Sequence, residues 1–355
     1  MAISANYTPD PSAILTAPWT TVQLSERDTS SQIPINYVTY PGVYVTAACF
    51  GNKIYEEQAM VTCISNLIAV DTRRFYIDLY WSPDHRRWTL CPVVVDSNAP
   101  DGPASTETAA SGKSSSMLAD AGSYSCSGSL DLSVLLHLLH NYFFISDDTL
   151  NAHMLYILLN IHFATPKGSS NPPSRAPARN KFPSGKHLLG SLFGKRLAPY
   201  MYTPKQLQEE RANLNRSWYS VPRYAHPIAE YFTTHKDAKG DHSTPDGWPC
   251  ERYVERHRFR RCLVGWGAVD NEMEGYNFAG DGDFIFPRGS LAESQTLDIS
   301  YGSGGNDSAV IKSGCLFDPH STDSPGQSAS WAESTVAERH DSDLIHSLNR
   351  ELVAC

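Results

Sequence analysis

The sequence predicts an α/β fold built on parallel strands, either a barrel or a doubly wound sheet. Predicted helices alternate along the chain with short apolar strand segments, which is the pattern of parallel α/β proteins. Two of these segments, at 73–81 and 154–163, are apolar at nearly every position, as expected for strands buried on both faces. Because 41 % of the 355 residues are hydrophobic and 19 % are charged, the chain can bury a sizeable core.

The first strand, helix and strand are predicted between residues 35 and 81. The stretch 35–50 is β-branched and aromatic and is interrupted by a Pro-Gly turn signal, so it predicts a strand and a turn. Residues 56–70 carry apolar side chains at helical spacing and predict a helix. The apolar run 73–81 predicts the next strand, and 88–95 predicts another.

Later segments repeat the order of helix and strand. Helices are predicted at 132–144, 188–197, 204–214 and 251–258, and strands at 154–163 and 261–266. Thr203 and Pro204 fit the N-cap and the first position of the helix that begins at 204. The repeated order supports the prediction of a parallel sheet.

Composition divides the chain into a core and less structured parts. We expect an N-terminal extension at 1–34, an α/β barrel at 35–290 with insertions at about 97–129 and 166–183, and a C-terminal region at 291–355. The insertions are poor in large apolar residues, which predicts loops or disorder. The C-terminal region is rich in Ser and Gly and predicts a weakly folded tail with a short helical patch.

Charge argues against a nucleic-acid-binding protein. The chain has 29 Lys and Arg against 38 Asp and Glu, a net charge of −9, whereas such proteins need a basic face to bind phosphates. We therefore expect no direct nucleic-acid partner.

The N-terminus has no basic and apolar signal segment, and no run reaches the ~18 apolar residues of a membrane span. We expect either a cytosolic protein or a chain without its flanking parts.

The cysteines and glycosylation motifs favour an oxidising compartment. The eight cysteines are spread singly, at Cys49, Cys63, Cys91, Cys126, Cys250, Cys262, Cys315 and Cys355. An even number without a C-x-x-C pair is more consistent with disulfides than with a zinc site. N-x-S/T motifs begin at Asn6, Asn215 and Asn306, which makes them candidate glycosylation sites.

Two constellations could carry chemistry in such a fold. Asp78 lies near the C-terminal end of a predicted strand, where barrel enzymes place their catalytic groups, and Arg74 precedes it. A structural ion pair is the alternative interpretation of these two residues. His137 and His140 lie three residues apart on one helix and could bind a metal with a third ligand such as His153 or His162. A structural or solvent-facing role is the alternative for both.

A Gly-rich segment at 265–283 carries several carboxylates. Its candidate ligands for a hard cation are Asp270, Glu272, Asp281 and Asp283. The segment lacks the acidic spacing of an EF-hand, so a turn-rich loop that closes the barrel is the alternative. No motif for binding a cofactor is present, and we expect none to be required.

Four separated groups of sequence strings resemble the fungal maintenance of telomere capping protein 6 family. They occur in the expected order and the resemblance covers about residues 10–355. The strings are INYVTYPGV at 35–43, RRFYIDLYWSP at 73–83 with WTLCP at 88–92, LAPYMYTPKQL at 197–207 with RANLNRSWY at 211–219, and STPDGWPC at 243–250 with LVGWG at 263–267.

This resemblance implies a (β/α)8 TIM-like barrel of the type found in phospholipase-C-like phosphodiesterases. It also implies that the barrel lies on the lumenal or extracellular side of a single-pass type I membrane glycoprotein. Members of the family carry an N-terminal signal and a C-terminal span. We expect the membrane attachment to come from such a span, outside this chain, and the chain itself to be a truncated product.

The resemblance also bears on catalysis. Phosphatidylinositol-cleaving barrels use a histidine just after a Pro-Gly on the first strand and a second histidine after the second or third strand. Here Pro41-Gly42 is followed by Val43-Tyr44, and Cys91-Pro92 stands where those enzymes have His-Gly. The implied site therefore lacks its general acid and base, and Arg74 and Asp78 are its remnants.

Two functions follow as hypotheses. The first is a non-catalytic lumenal barrel that binds or supports an unidentified partner, with an indirect part in telomere capping. The alternative is a divergent phosphodiesterase in which Asp78 and carboxylates from 270–283 hold a divalent metal.

Most of the cysteines are also expected to pair. The candidate pairings are Cys49 with Cys63 or Cys91, and Cys250 with Cys262, among the 105 pairings that eight cysteines allow.

Overall fold

The computed structural model places most of the chain up to residue 291 and two short segments beyond it. The described residues are 5–30, 32–38, 40, 42–94, 118–121, 124–147, 153–165, 178–222, 225–291, 298–301 and 309–313. The helices are α1 (Trp19–Ser30), α2 (Val45–Phe50), α3 (Glu57–Ala69), α4 (Leu132–Ile145), α5 (Leu189–Leu197), α6 (Pro204–Ala212) and α7 (Glu251–Arg256). The strands are β1 (Gly42–Tyr44), β2 (Ile54–Tyr55), β3 (Arg74–Ser82), β4 (Arg87–Thr89), β5 (Leu118–Ala121), β6 (Tyr124–Ser127), β7 (Leu155–Phe163), β8 (His235–Lys236), β9 (His242–Ser243), β10 (Cys262–Val269), β11 (Asp298–Tyr301) and β12 (Ala309–Ser313).

Four parallel strands form the central sheet in the order β1, β3, β7, β10. β4 adds an antiparallel partner at the C-terminal end of β3. Spatial order here follows chain order, as in a barrel, whereas a doubly wound sheet reverses its order at a switch point. The described strands thus form a parallel sheet whose neighbours follow chain order, and they do not by themselves close a barrel.

The two long central strands separate two apolar cores. Alternate side chains of β3 and β7 point to opposite faces of the sheet. Ile77 and Leu159 lie in the core that includes apolar residues of α3, α4 and α5. Tyr76 and Leu158 lie in the second core, together with Trp218 and other residues of the C-terminal half. Both faces are covered, which explains why these strands are apolar nearly throughout.

The predicted α/β class is confirmed, and most elements occur where the sequence predicts them. Helices α3 and α4 and strands β3 and β7 match their predicted ranges within one or two residues. The predicted start of α6 is also confirmed, because Thr203 and Gln206 form a reciprocal capping box and Pro204 occupies the first helical position. Strong periodicity and good capping residues made these elements predictable.

Two local predictions were wrong. The predicted strand at 35–50 is reduced to the three residues of β1, and α2 begins directly after it. In α2, Cys49 forms a disulfide with Cys63 of α3, and Val45 and Phe50 pack in the core, so tertiary contacts override the strand preference of β-branched residues. The predicted loop at 97–129 contains the hairpin of β5 and β6, which Cys126 ties to Cys91.

Several expectations fall on residues that the structure does not describe. These include most of the insertions at 97–129 and 166–183, the helical patch at 341–352 and most of the tail. Within the tail, β11 and β12 form an antiparallel pair. Among the described helices, none has the length and apolarity that a membrane crossing requires.

Candidate functional site

Polar side chains gather at the C-terminal ends of the parallel strands, around Asp78. The Asp78 carboxylate is buried and accepts hydrogen bonds from four donors. Tyr44, at the end of β1, donates its hydroxyl at 2.7 Å, and Thr46, in α2, donates its hydroxyl at 2.5 Å. From β7, Asn160 Nδ2 lies at 3.0 Å and His162 Nε2 at 3.2 Å. We call Asp78, these four donors and Asp270 the mouth cluster.

His162 lies between two carboxylates. Its Nδ1 is 2.7 Å from Asp270 Oδ2, just beyond β10, and its Nε2 faces Asp78. The ring of Tyr80 stacks on the imidazole with centroids 4.8 Å apart. Burial alone would lower the pKa of His162, but the hydrogen bonds and negative charges of Asp270 and Asp78 raise it to about 9. The imidazole is therefore protonated at neutral pH.

Asp78 is held in its charged form. Burial alone would raise its pKa, but hydrogen bonds from His162, Thr46 and Tyr44, and the charge of His162, lower it. Burial, and then the charge of Asp78, raise the pKa of Tyr44, which stays a neutral phenol. The cluster thus holds one imidazolium and two carboxylates, a formal charge of about −1.

Asn160 connects the mouth cluster to β10. Its Oδ1 accepts the backbone N–H of Ala268 at 2.7 Å, while its amide nitrogen donates to Asp78. A Cβ atom at Gly267 would lie 2.3 Å from Asn160 Oδ1, so this contact requires glycine. The register of β3 against β7 brings these side chains into contact. Asp78 is paired with Asn160, and Tyr80 with His162, across the two parallel strands.

Arg74, the arginine predicted from the sequence, and its neighbour Arg73 lie toward the other end of the strands. Arg74 is the first residue of β3, and its guanidinium lies over the Tyr156 ring at 5.3 Å from the centroid. Arg73 donates to Asp71 at 2.9 Å. The structure therefore places Asp78 in the mouth cluster, whereas Arg74 is not among the four donors to its carboxylate.

The four carboxylates predicted as metal ligands do not gather in one place. Asp270 contacts His162, whereas buried Asp281 accepts from the Tyr276 hydroxyl and from the Gly190 N–H at 2.7 Å. Burial raises the pKa of Asp281. Glu272 is half-buried and Asp283 is exposed. Over the described ranges, no group of three or more His, Cys, Asp or Glu is arranged to hold a metal ion.

The histidine pair of α4 has other partners. His137 Nδ1 contacts the Arg196 guanidinium, and the His140 ring packs edge-on against Tyr200 at 5.6 Å. Burial and then the charge of Arg196 lower the pKa of His140. His153 lies 3.6 Å from Asp71, and His162 lies in the mouth cluster, so neither joins the pair as a third ligand.

The cysteines divide into two disulfides and two thiols among the described residues. Cys49 is bonded to Cys63, which is one of the predicted alternatives, and Cys91 is bonded to Cys126. The predicted pairing of Cys250 with Cys262 was wrong, because both are free buried thiols. Cys250 donates to the Ala225 carbonyl at 3.0 Å, and Cys262 lies within the central sheet. Cys315 and Cys355 lie outside the described residues.

The predicted glycosylation sites have different surroundings. Asn6 is exposed. Asn215 is also exposed, but its amide nitrogen donates to Asp241 at 3.0 Å and its oxygen lies 3.1 Å from His242 Nδ1. Asn306 lies outside the described residues.

Sequence reasoning missed half of the mouth cluster. Tyr44, Thr46 and Asn160 were not candidates, and His162 entered only as a possible metal ligand. A usable signal was present in β7, where Asn160 and His162 are polar residues two positions apart in an otherwise apolar strand. That spacing puts both side chains on one face, near the strand's C-terminal end.

Comparisons with known proteins agree on one family. The family model described as MTC6 partial TIM-barrel domain matches residues 15–312. The protein named Maintenance of telomere capping protein 6 from Candida dubliniensis is 24 % identical over 201 residues, which cover 54 % of this chain and 30 % of that protein. Its namesake from Yarrowia lipolytica is 24 % identical over 155 residues, 44 % of this chain and 21 % of that protein. The namesake from Debaryomyces hansenii is 26 % identical over 137 residues, 39 % of this chain and 21 % of that protein.

These matches concern only part of the relatives. The aligned regions span less than a third of the length of each of these proteins. No solved structure matches the chain. The family match reaches from residue 15, well before β1, to residue 312 in β12. Since that match spans most of the sequence, the chain belongs to the family of MTC6 partial TIM-barrel domains.

Proposed function

We propose that this chain is a non-catalytic barrel module related to phospholipase-C-like phosphodiesterases. The observation that carries the proposal is the position of His162, whose two ring nitrogens both face carboxylates, at 2.7 Å from Asp270 and 3.2 Å from Asp78. A general base needs a free imidazole lone pair, and a general acid needs a proton directed at the substrate. An imidazolium that donates both protons to carboxylates offers neither.

Charge supports the same proposal. A phosphodiester substrate is an anion, and the mouth cluster carries two carboxylates against one imidazolium. Such a cluster repels an anionic substrate rather than concentrating it. The other polar groups do not supply a base, because Tyr44, Thr46 and Asn160 all donate to Asp78.

Turnover measurements test the proposal. We expect the purified chain to hydrolyse neither phosphatidylinositol vesicles nor glycerophosphodiesters above the level of His162→Gln and Asp78→Asn. A catalytically competent phosphatidylinositol-cleaving enzyme assayed in parallel verifies the substrates. Each assay is repeated with Mg²⁺, Ca²⁺, Mn²⁺ or Zn²⁺, because the alternative function is a metal-dependent phosphodiesterase. Turnover that either substitution abolishes would overturn the proposal and favour that alternative.

We further propose that the module lies on the lumenal or extracellular side of a single-pass type I membrane glycoprotein. The two disulfides support this location, because such bonds persist in oxidising compartments. Exposed Asn6 offers a glycosylation site. A glycosidase that shifts the mobility of the native protein, with a smaller shift for Asn6→Gln, is the expected result. No shift, together with thiols at all four disulfide positions, would refute the location.

We propose that any part in telomere capping, the process for which the relatives are named, is indirect. A net charge of −9 opposes contact with the DNA backbone. A gel-shift titration with telomeric and unrelated duplexes at low salt is expected to show no complex. Binding that weakens as salt increases would overturn this proposal.

A further inference from the structure

A cleft separate from the mouth cluster lies between α6, the loop at 243–248 and residues 286–290. Its volume is about 600 Å³, within the range of small-molecule sites. Leu207, Trp248 and Phe286 are buried residues of its lining, and the last two rings pack with centroids 5.2 Å apart. None of these residues belongs to the mouth cluster, so the inference does not rest on the proposed function.

Arg211 brings a positive charge to this apolar cleft. Its guanidinium lies over the Trp248 ring, 5.3 Å from the centroid. It donates to two backbone oxygens, from Nε to the Gly247 carbonyl at 2.6 Å and from Nη2 to the Asp246 carbonyl at 3.2 Å. Both bonds fix the orientation of the guanidinium fork while leaving further N–H donors. Burial lowers the pKa of Arg211, and the nearby Tyr202 and Asp246 act against this.

The surrounding carboxylates do not neutralise that charge by direct contact. Asp246 Oδ1 accepts hydrogen bonds from the Thr233 N–H at 3.0 Å and from the Thr244 hydroxyl at 3.1 Å, and Oδ2 accepts one from the Thr233 hydroxyl at 3.4 Å. None of the described residues lining the cleft is Asp or Glu, although the chain as a whole is acidic. His235 lies at the exposed rim and can add a hydrogen-bond donor.

We propose that this cleft binds a small apolar monoanion, with its anionic group on Arg211 and its apolar body against Trp248, Phe286 and Leu207. A single guanidinium suits one negative charge, and its fork matches the paired oxygens of a carboxylate or of a phosphodiester. The apolar body can be flat or aliphatic. A body about the size of two fused rings fits within the cleft volume and against its apolar lining. The carboxylate and the phosphodiester share this chemistry, and the experiment separates them.

Isothermal titration calorimetry on the whole chain tests the proposal with defined probes. We expect 2-naphthoate to bind at least tenfold more tightly than its neutral isostere 2-naphthamide. Arg211→Met should weaken naphthoate binding at least tenfold, and Arg211→Lys should weaken it less, because lysine keeps the charge but loses the fork. Arg216→Met is the matched control, since Arg216 is exposed and does not line the cleft.

Competition with dibutyl phosphate identifies the anionic group. If dibutyl phosphate displaces naphthoate, the cleft accepts a phosphodiester as its anionic group. If it does not, the anionic group of the ligand is a carboxylate. Equal affinities for acid and amide, no heat of binding at millimolar naphthoate, or equal losses for Arg211→Met and Arg216→Met would each overturn the proposal. The comparison of 2-naphthoate with 2-naphthamide uses the unmodified chain. It therefore tests the proposal even if Arg211→Met does not fold.

Discussion

The protonation of His162 predicts how the stability of this protein depends on pH. The pKa of His162 is about 9 in the folded protein, against an ordinary value of 6.5. Between these values the folded state binds a proton that the unfolded state has lost, so the free energy of unfolding falls as pH rises. The stabilisation is fully present below pH 6.5 and is lost as pH rises through 9.

The geometry sets the size of this effect. At about 1.36 kcal/mol per pKa unit, the full shift would correspond to roughly 3 kcal/mol. The His162 side chain is 17 % exposed, but that of Asp270 is 41 % exposed, so water screens part of the attraction. We therefore expect a contribution of about 1–3 kcal/mol.

Urea unfolding followed by tryptophan fluorescence at intervals from pH 6 to pH 10 measures this contribution. The unmodified chain should lose about 1–3 kcal/mol more of its free energy of unfolding over this interval than His162→Gln does. His235→Gln, at an exposed position outside the mouth cluster, should behave like the unmodified chain. The reasoning is refuted if His162→Gln retains the full pH dependence.

The same contacts and the disulfides lead to further predictions. Gly267→Ala should lower the free energy of unfolding by about 1–3 kcal/mol, because its Cβ would lie 2.3 Å from Asn160 Oδ1. Gly282→Ala is the control, because its Cβ would lie at an ordinary 3.5 Å from a carbonyl oxygen, and it should change the free energy of unfolding by less than about 1 kcal/mol. Equal losses of stability for the two variants in urea titrations would contradict the argument. Without reductant, alkylation and peptide mass spectrometry should find Cys250 and Cys262 labelled only in denaturant, because both are buried and burial raises their thiol pKa values. Labelling of the four bridged cysteines under these conditions would disprove the disulfides.

Local sequence signals were sufficient for the main helices and strands. Strand β7 is buried on both faces, so its apolar run predicted its position and its place in a parallel sheet. Helix α6 carries its own start signal in Thr203, Pro204 and Gln206. Such features depend on residues a few positions apart, and no knowledge of the tertiary fold is needed to interpret them.

The elements that were predicted wrongly depend on distant partners. Helix α2 contains β-branched residues that favour a strand, but a disulfide to α3 and core packing hold it as a helix. Cys250 and Cys262 are close in sequence, yet Cys250 precedes α7 while Cys262 begins β10. Their side chains are directed to different neighbours, which no spacing rule could indicate.

The mouth cluster was only partly predictable for the same reason. Asp78 could be found because it is a charged residue near the end of an apolar strand. Its partners come from β1, α2 and β7, and Asp270 follows β10, so their meeting depends on the order and register of the sheet. The sequence contains the polar side chains, but only the register of β3 against β7 places Asn160 and His162 beside Asp78.

The same dependence on the sheet gives the mouth cluster a structural role. The described parallel strands do not close into a complete ring, so the ends of the sheet gain less support from neighbouring strands than in a closed barrel. Hydrogen bonds to Asp78 join the ends of β1, β3 and β7, and His162 continues the connection to Asp270 beyond β10. Loss of the His162 charge would leave two carboxylates without their shared cation. The measured stability of His162→Gln therefore reports on the connection among four strands, and a catalytic role for the same residue would show itself in turnover instead.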